Sequence, residues 1–221
     1  MKRILVIAPH PDDEIIGVGG TMIKEIKAGN EVYVCVVTKG CEPLFSKESV
    51  EKVRRETLDC HSKIGVKNTF FFDFPAAMLE TVNRYELNEK FIETLKEVNP
   101  EEVYIPHVGD MQKDHQLVVD ASMVAMRPKY GFAPRKIFSY ETLSETGWNV
   151  PSVQNEFIPN AFVDISDTLS EKLVAMSVYT TQTATFPDAR SLEALEALAK
   201  YRGALMNIHA AEAFMLIREI N

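Results

Sequence analysis

The fold class is decided by residues 3–38, which have the sequence RILVIAPHPDDEIIGVGGTMIKEIKAGNEVYVCVVT. Residues 3–8 and 31–38 are short runs rich in valine and isoleucine, a composition typical of buried strands. Between them, residues 21–28 have helical periodicity and stop at a Gly-Asn pair, which favours a helix end. A strand, a helix and a second strand in this order predict a βαβ unit with parallel strands.

The alternation of strand and helix continues to the end of the chain. Further strands are predicted over residues 68–74, 102–106, 136–141, 162–165 and 213–217, the last as an edge strand. Further helices are predicted over residues 46–64, 83–98, 114–126, 168–179 and 191–206. This pattern predicts an α/β fold, a Rossmann-like, doubly wound three-layer sandwich with a mostly parallel sheet. The polar segment 143–159 is predicted to be a lid, an interface loop or a plain surface loop.

Composition narrows the class of protein. The 221 residues are 46% hydrophobic and 25% charged, so we expect one globular domain over residues 1–221. A formal net charge of −8 argues against binding to nucleic acid, which needs a cationic surface. No apolar run approaches the ~20 residues of a membrane span. The apolar run at the N-terminus is too short for a signal peptide, and a cytoplasmic protein is expected.

The chemistry is concentrated in residues 8–14, APHPDDE, directly after the first strand. Ligands of doubly wound folds bind beyond the carboxyl ends of the strands, so residues after positions 8, 38, 74 and 106 should face one site. Two adjacent carboxylates without a cation repel each other, and a divalent metal removes that cost. The alternative is that Asp12 and Asp13 only cap the next helix while His10 packs locally.

A second polar segment, PHVGDMQKDHQLV at residues 106–118, follows the fourth strand. His10, Asp13 and His115 form a set of two histidines and one carboxylate, and catalytic zinc sites commonly use three such ligands plus water. Zinc lowers the pKa of that water towards ~7, and Asp12 is then available as general base. His61 and His209 are expected to be ordinary packing or surface residues.

These residues resemble a known family. The stretch APHPDDEIIGVGG and the later DMQKDH resemble the two motifs of the LmbE-like family, also called PIG-L or N-acetylglucosaminyl-phosphatidylinositol deacetylase-like. The resemblance implies zinc-dependent removal of the acetyl group from an N-acetylated amino sugar or its conjugate, and an oligomeric protein. It also implies that His10, Asp13 and His115 bind zinc and that Asp12 is the general base. Asp114 would orient a catalytic histidine or a metal ligand.

The chain departs from the family at Gln112, where many members have a histidine that stabilises the oxyanion. Glutamine can donate a hydrogen bond to an oxyanion but carries no charge. Either Gln112 acts as the weaker donor, or His107 reaches the site instead. Arg54, His107 and Asp110 are expected to bind substrate, and Arg190 and Gln182 are candidates for the pocket wall. The glycines of residues 17–20, GVGG, favour close helix packing over phosphate binding.

Two other functions are also compatible with these residues. A site of two histidines and one carboxylate also describes the iron(II) centre of non-haem oxygenases, so Fe²⁺ is a possible metal. A protein that binds a sugar and a metal without turnover is the other alternative, and Gln112 is the feature that supports it. Acetate release from N-acetylglucosamine derivatives separates these possibilities from a deacetylase.

Overall fold

A computed structural model describes all 221 residues. The strands are β1 (Arg3–Ala8), β2 (Glu31–Lys39), β3 (Asn68–Pro75), β4 (Glu102–Pro106), β5 (Lys136–Tyr140), β6 (Ala161–Asp164) and β7 (Ala211–Glu219). The helices are α1 (Asp13–Lys27), α2 (Lys47–Ile64), α3 (Arg84–Val98), α4 (Lys113–Ala125), α5 (Leu169–Met176) and α6 (Leu192–Leu205), with a 3₁₀ turn at Leu79–Thr81. Every helix is too short or too polar to cross a membrane.

All seven strands form one sheet in the order β3-β2-β1-β4-β5-β7-β6. The first five in that order are parallel, and β1 is central, with Val6 opposite both Val34 of β2 and Tyr104 of β4. The predicted α/β fold with a mostly parallel sheet is confirmed. Neighbouring strands in this part of the sheet are parallel because each helical crossover returns the chain to the end of the sheet where the previous strand began.

The predicted position of the last strand is wrong. β7 is nine residues long and lies between β5 and β6, antiparallel to both, so β6 is the edge strand. The predicted span 213–217 omits Ala211 and Glu212, which pair with β6. Their pairing and burial depend on contacts with distant parts of the chain, and a local sequence pattern does not contain that information.

Helices cover both faces of the sheet. On one face, α3 and α4 pack on Leu5 and Ile7 of β1 through a core that includes Phe91, Leu95 and Val118. On the other face, α1 packs on the alternate side chains of β1 and β2. The alternation of side chains along β1 therefore supplies both cores.

The predicted start of the first helix, residue 21, is also wrong, because α1 begins at Asp13. Three glycines in its first half have low helix propensity and obscure the helix in the sequence. In the fold they allow close contact: a Cβ on Gly17 would lie 2.2 Å from the Tyr140 ring, and one on Gly20 would lie 2.9 Å from Ile165. The packing interpretation of these glycines is confirmed.

The contact between Gly17 and Tyr140 predicts an unusual response to Gly17→Ala. Alanine normally stabilises a helix by ~0.5–1 kcal/mol relative to glycine. Here its methyl group would overlap the buried ring, so the free energy of unfolding should fall by roughly 1–3 kcal/mol. Urea denaturation measures the change. Gly131→Ala is the matched control, because no atom lies within 4 Å of its added Cβ. A Gly17→Ala protein as stable as the parent would contradict this packing.

Candidate functional site

The site lies between β1 and β4, from which the chain continues towards opposite edges of the sheet. β1 and β4 are neighbours, and the helices that follow them, α1 and α4, cover opposite faces of the sheet. This arrangement opens a crevice at the carboxyl ends of the two strands. The loop after β1 is held by Thr38 of β2, whose backbone N–H and hydroxyl both donate to the Pro9 carbonyl, at 3.0 and 2.8 Å.

Three side chains converge in the crevice. His10, Asp13 and His115 each present one ligand atom, and these atoms all lie within 4.8 Å of one another. The Asp13 carboxylate lies between the histidines, with Oδ2 3.3 Å from His10 Nδ1 and 3.3 Å from His115 Nε2. The two loops that supply these residues are about a hundred positions apart in sequence, and the parallel pairing of β1 with β4 brings them together.

Two further carboxylates orient the histidines. His115 Nδ1 donates to Asp110 Oδ2 at 2.8 Å, and His10 Nε2 donates to Asp114 Oδ2 at 3.0 Å. Each bond leaves the other ring nitrogen facing Asp13 as a free electron pair, the arrangement that a metal ligand needs. The side chain of Asp110 is completely buried behind His115 and does not line the cavity, so the substrate contact predicted for it stays a prediction that its position does not favour. Asp114 has the orienting geometry that the family resemblance implies.

The charges of the cluster shift its pKa values in opposite directions. Burial lowers the pKa of His115, but the charge of Asp13 and the hydrogen bond to Asp110 outweigh it and raise that pKa to about 10. Burial raises the pKa of Asp13, but the charge of His115 and the contacts with both histidines outweigh it and hold that pKa below its ordinary value. The buried Asp13 carboxylate is therefore stabilised by positive charge beside it.

Unpaired atoms in this cluster fit a bound metal. His115 Nε2 and Asp13 Oδ1 are buried and have no hydrogen-bond partner. A buried polar atom without a partner costs roughly 1–3 kcal/mol, so such atoms need an explanation. Two imidazole nitrogens and one carboxylate oxygen are a donor set that zinc and iron(II) both accept. The residues present therefore fit the metal that the sequence indicates.

Asp12 occupies the N-cap position of α1 but does not cap it. Its φ of 102° is in the left-handed region, which is strained for a residue with a side chain, and its carboxylate makes no capping hydrogen bond. Both carboxylate oxygens are buried without a hydrogen-bond partner. Arg190 is the nearest cation, with Nε 3.3 Å from Asp12 Oδ2. The capping alternative is therefore wrong for Asp12, whose carboxylate instead faces the cavity.

Burial and neighbouring charge also act on Asp12. Loss of solvent and the Asp13 charge raise the pKa of Asp12 well above its ordinary value, and the Arg190 charge opposes this rise. A carboxyl group with a raised pKa binds a proton more readily, which suits a general base that must take a proton from water.

A buried network stabilises the strained backbone of Asp12. Its N–H donates to Glu14 Oε2 at 3.2 Å. The other oxygen of Glu14 accepts from the Tyr179 hydroxyl at 2.6 Å and from His61 Nε2 at 3.1 Å. Of the two predicted alternatives for His61, a packing residue or a surface residue, the structure shows the packing residue. Through Glu14, His61 supports the loop that contains Asp12. His209 is exposed.

A cavity of about 500 Å³ reaches the cluster at His10, whereas Asp13 and His115 are buried and do not line it. Its lining includes five candidates from the sequence, together with His10: Asp12, Arg54, Gln112, Gln182 and Arg190. It also includes Phe45, Val50, Val53 and Phe71, none of which the sequence indicated. In the sequence these four apolar residues resemble residues of the hydrophobic core, and no neighbouring motif marks them as cavity residues.

His107 is not brought to the cavity. Its ring is buried, with Nε2 3.1 Å from the Asn155 carbonyl, and it packs edge-on against Phe157. Segment 143–159 folds over this side of the loop and separates His107 from the cavity lining. The substrate contact predicted for His107, and its alternative role in place of Gln112, stay predictions that this position does not favour. None of the segment's residues lines the cavity, and its Thr146 hydroxyl donates to Asp110.

Arg54 lies at the far side of the cavity from α1. Its guanidinium pairs with Asp73 at 2.9 Å and lies 4.0 Å from the centre of the Phe71 ring. Two positions further along α2, Glu56 accepts from the hydroxyls of Thr180 and Thr181. Helix α2 thus contributes Ser49, Val50, Val53 and Arg54 to the cavity lining and holds a segment of the C-terminal half that contributes other lining residues.

Comparison with known proteins agrees with this geometry. The profile of the PIG-L family, described as GlcNAc-PI de-N-acetylase, matches residues 5–126, more than half of the chain. The chain belongs to the PIG-L family. Within this PIG-L protein, the matched region contains both loops that supply His10, Asp13 and His115, whereas Arg190 and Tyr179 lie outside it.

Individual relatives cover most of the PIG-L chain. The uncharacterized deacetylase YaiS of Escherichia coli K12 is 27% identical over 171 residues, 75% of this chain and 83% of that protein. Diacetylchitobiose deacetylase of Thermococcus kodakarensis is 26% identical over 204 residues, 85% of this chain and 72% of that protein. The crystal structure of the conserved protein TT1542 from Thermus thermophilus superposes with a TM-score of 0.81 at 25% identity, covering 100% of this chain and 97% of that one.

The convergence of His10, Asp13 and His115 predicts the effect of His115→Ala on metal binding. Loss of one of three protein ligands should weaken zinc affinity by more than the ~10–100-fold that is typical for loss of a residue supporting a ligand. Competition with a chelator measures the affinity, and elemental analysis measures the metal content. His209→Ala removes an exposed histidine and should leave both unchanged. Parent-like zinc affinity in His115→Ala would show that the ligand set is wrong.

Proposed function

We propose that this protein is a zinc-dependent hydrolase that removes the acetyl group from an N-acetylated amino sugar or its conjugate. The observation that carries the proposal is the position of the Asp12 carboxylate, free of hydrogen bonds, beside a three-ligand cluster at the inner end of a cavity. Membership in the PIG-L family and the similarity to a diacetylchitobiose deacetylase support the same reaction.

His10, Asp13 and His115 would hold the metal. Bound zinc would supply a water of lowered pKa and polarise the amide carbonyl. Asp110 and Asp114 keep the two histidines in the tautomers that can bind a cation. Asp114 is itself fixed, because it accepts from the backbone N–H groups of Ala77 and Leu79. The ligands are therefore oriented before any metal binds.

Asp12 is the proton carrier in this proposal. Neither of its carboxylate oxygens accepts a hydrogen bond and only Oδ2 faces Arg190, so Oδ1 can accept the proton of the attacking water. The protonated carboxyl group can then donate that proton to the nitrogen that leaves as the amine. Arg190, 3.3 Å from Asp12 Oδ2, stabilises the carboxylate form between turnovers. The left-handed backbone of Asp12, held by Glu14, points this carboxylate at the cavity.

Gln112 is the proposed donor to the oxyanion. It lies at the start of α4 and lines the cavity beside His10 and Asp12. When water adds to the amide, negative charge develops on the former carbonyl oxygen, and a fixed N–H donor stabilises it. The Gln112 amide provides that donor.

Acetate release tests the function. Purified protein with zinc should release acetate from N-acetylglucosamine or its simple glycosides, and chelation should abolish the release.

Asp12→Asn keeps the shape of the side chain and removes the proton acceptor, so kcat should fall by about 10²–10⁴-fold while zinc content stays at the parent level. Loss of zinc in Asp12→Asn would make Asp12 a ligand. Oxygen uptake with a 2-oxo acid would support the iron(II) alternative, and sugar binding without acetate release would support the non-catalytic one.

Gln112→Ala tests the oxyanion donor. The contact forms mainly in the transition state, so kcat should fall by about 10–1000-fold with little change in KM. The neighbouring Lys113→Ala is a suitable control, because Lys113 is exposed and contacts only Gln116 through its side-chain amine. If kcat in Gln112→Ala stays within about twofold of the parent, another group stabilises the oxyanion.

A further inference from the structure

We propose, on the basis of the deacetylase function above, that the substrate carries a neutral apolar group next to its acetamido sugar. The lining of the cavity has two kinds of side chain. Gln112, Thr181, Gln182 and Arg190 are polar. Phe45, Val50, Val53 and Phe71 are apolar, and we call these four residues the apolar wall. A sugar with an aryl or alkyl aglycone matches this division, because its hydroxyls and its apolar group need different surroundings.

The apolar wall is built by the connection between β2 and α2. At Gly40, just after β2, an added Cβ would lie 2.9 Å from Phe45 and 3.0 Å from Val50. Glycine therefore lets the connection fold tightly back over the strand end. Phe45 keeps 42% of its surface exposed although it faces the cavity, and Val50 and Val53 are on the helix turns behind it. An apolar ligand that covers this ring gains the free energy of removing both surfaces from water.

The charged residues of the cavity argue against an anionic group on the substrate. Arg54 is paired with Asp73 at 2.9 Å, and Arg190 is paired with Asp12 at 3.3 Å. Both guanidinium groups therefore already face carboxylates of the protein. The remaining lysine of the lining, Lys39, is exposed at the end of β2, where solvent screens its charge.

Two carboxylates of the lining add to this effect. Asp12 and Asp73 both line the cavity, and its two arginines face these same carboxylates. A phosphate or carboxylate on the substrate would meet this negative charge and would lose its hydration without gaining a free cationic partner. A neutral substituent avoids both costs.

Comparison of three substrates on the zinc-loaded protein tests the proposal. These are N-acetylglucosamine, its phenyl glycoside and its 1-phosphate. The phenyl glycoside should have a kcat/KM about tenfold or more above that of the free sugar, as expected for burial of an aromatic ring. The 1-phosphate should be no better than the free sugar. A 1-phosphate that exceeds the phenyl glycoside would overturn the proposal.

Phe45→Ala locates the effect on the apolar wall. It should reduce the ratio of kcat/KM for the phenyl glycoside over the free sugar to about threefold or less. Leu44→Ala is the matched control, because Leu44 is the adjacent residue, is 58% exposed and does not line the cavity. It should retain the parent ratio. An unchanged ratio in Phe45→Ala would also overturn the proposal.

Binding to the Asp12→Asn protein separates this proposal from the proposed reaction. Calorimetry with zinc-loaded Asp12→Asn should give a lower Kd for the phenyl glycoside than for free N-acetylglucosamine, and adding Phe45→Ala should remove the difference. If this preference appears but the parent releases no acetate from any of the three compounds, the reaction is wrong and the ligand class is right. If acetate is released without such a preference, the reaction is right and the ligand class is wrong.

Discussion

The crowding of acidic groups at the end of β1 is the constraint on which the site depends. Asp12, Asp13 and Glu14 are consecutive and almost completely buried, and Asp110 and Asp114 are buried beside them. Burying that much negative charge is possible only if each carboxylate has a compensating partner.

Asp110 and Asp114 are compensated by histidines, Glu14 by Tyr179 and His61, and Asp12 by Arg190. Asp13 lies between two histidines whose ring nitrogens face it, and this is the place for a cation.

The fold supplies these partners from distant parts of the chain. The parallel sheet brings the loops after β1 and β4 to one crevice, and the reversal of crossover direction keeps the crevice open. The C-terminal half then contributes Tyr179, which fixes Glu14, and Arg190, which meets Asp12. Glycines in α1 permit this by letting the helix approach Tyr140 and Ile165 closely. The strained backbone of Asp12 is stable because these surroundings hold it on several sides.

The proposed reaction and the proposed choice of substrate depend on different parts of the site. The triad and its two orienting carboxylates lie inside the region that matches the PIG-L profile, and in the proposal they act on the scissile amide. Gln112 is proposed to act on the oxyanion, and the apolar wall at Phe45 on the part of the substrate beyond the sugar. The two proposals can therefore be tested separately.

The sequence alone determined the α/β class, most element boundaries, and the identity of the triad, because these depend on local periodicity and on residue types in short motifs. It placed Asp12, Gln112 and Arg54 at the cavity for the same reason. The tertiary structure decided the start of α1 and the inner position of β7, where packing outweighs propensity. It also decided the positions of Asp110 and His107, because a buried side chain's partner is set by which loop folds over it. The pairing of Asp12 with Arg190, 178 positions apart, has no local signal, since only the folded sheet makes those residues neighbours.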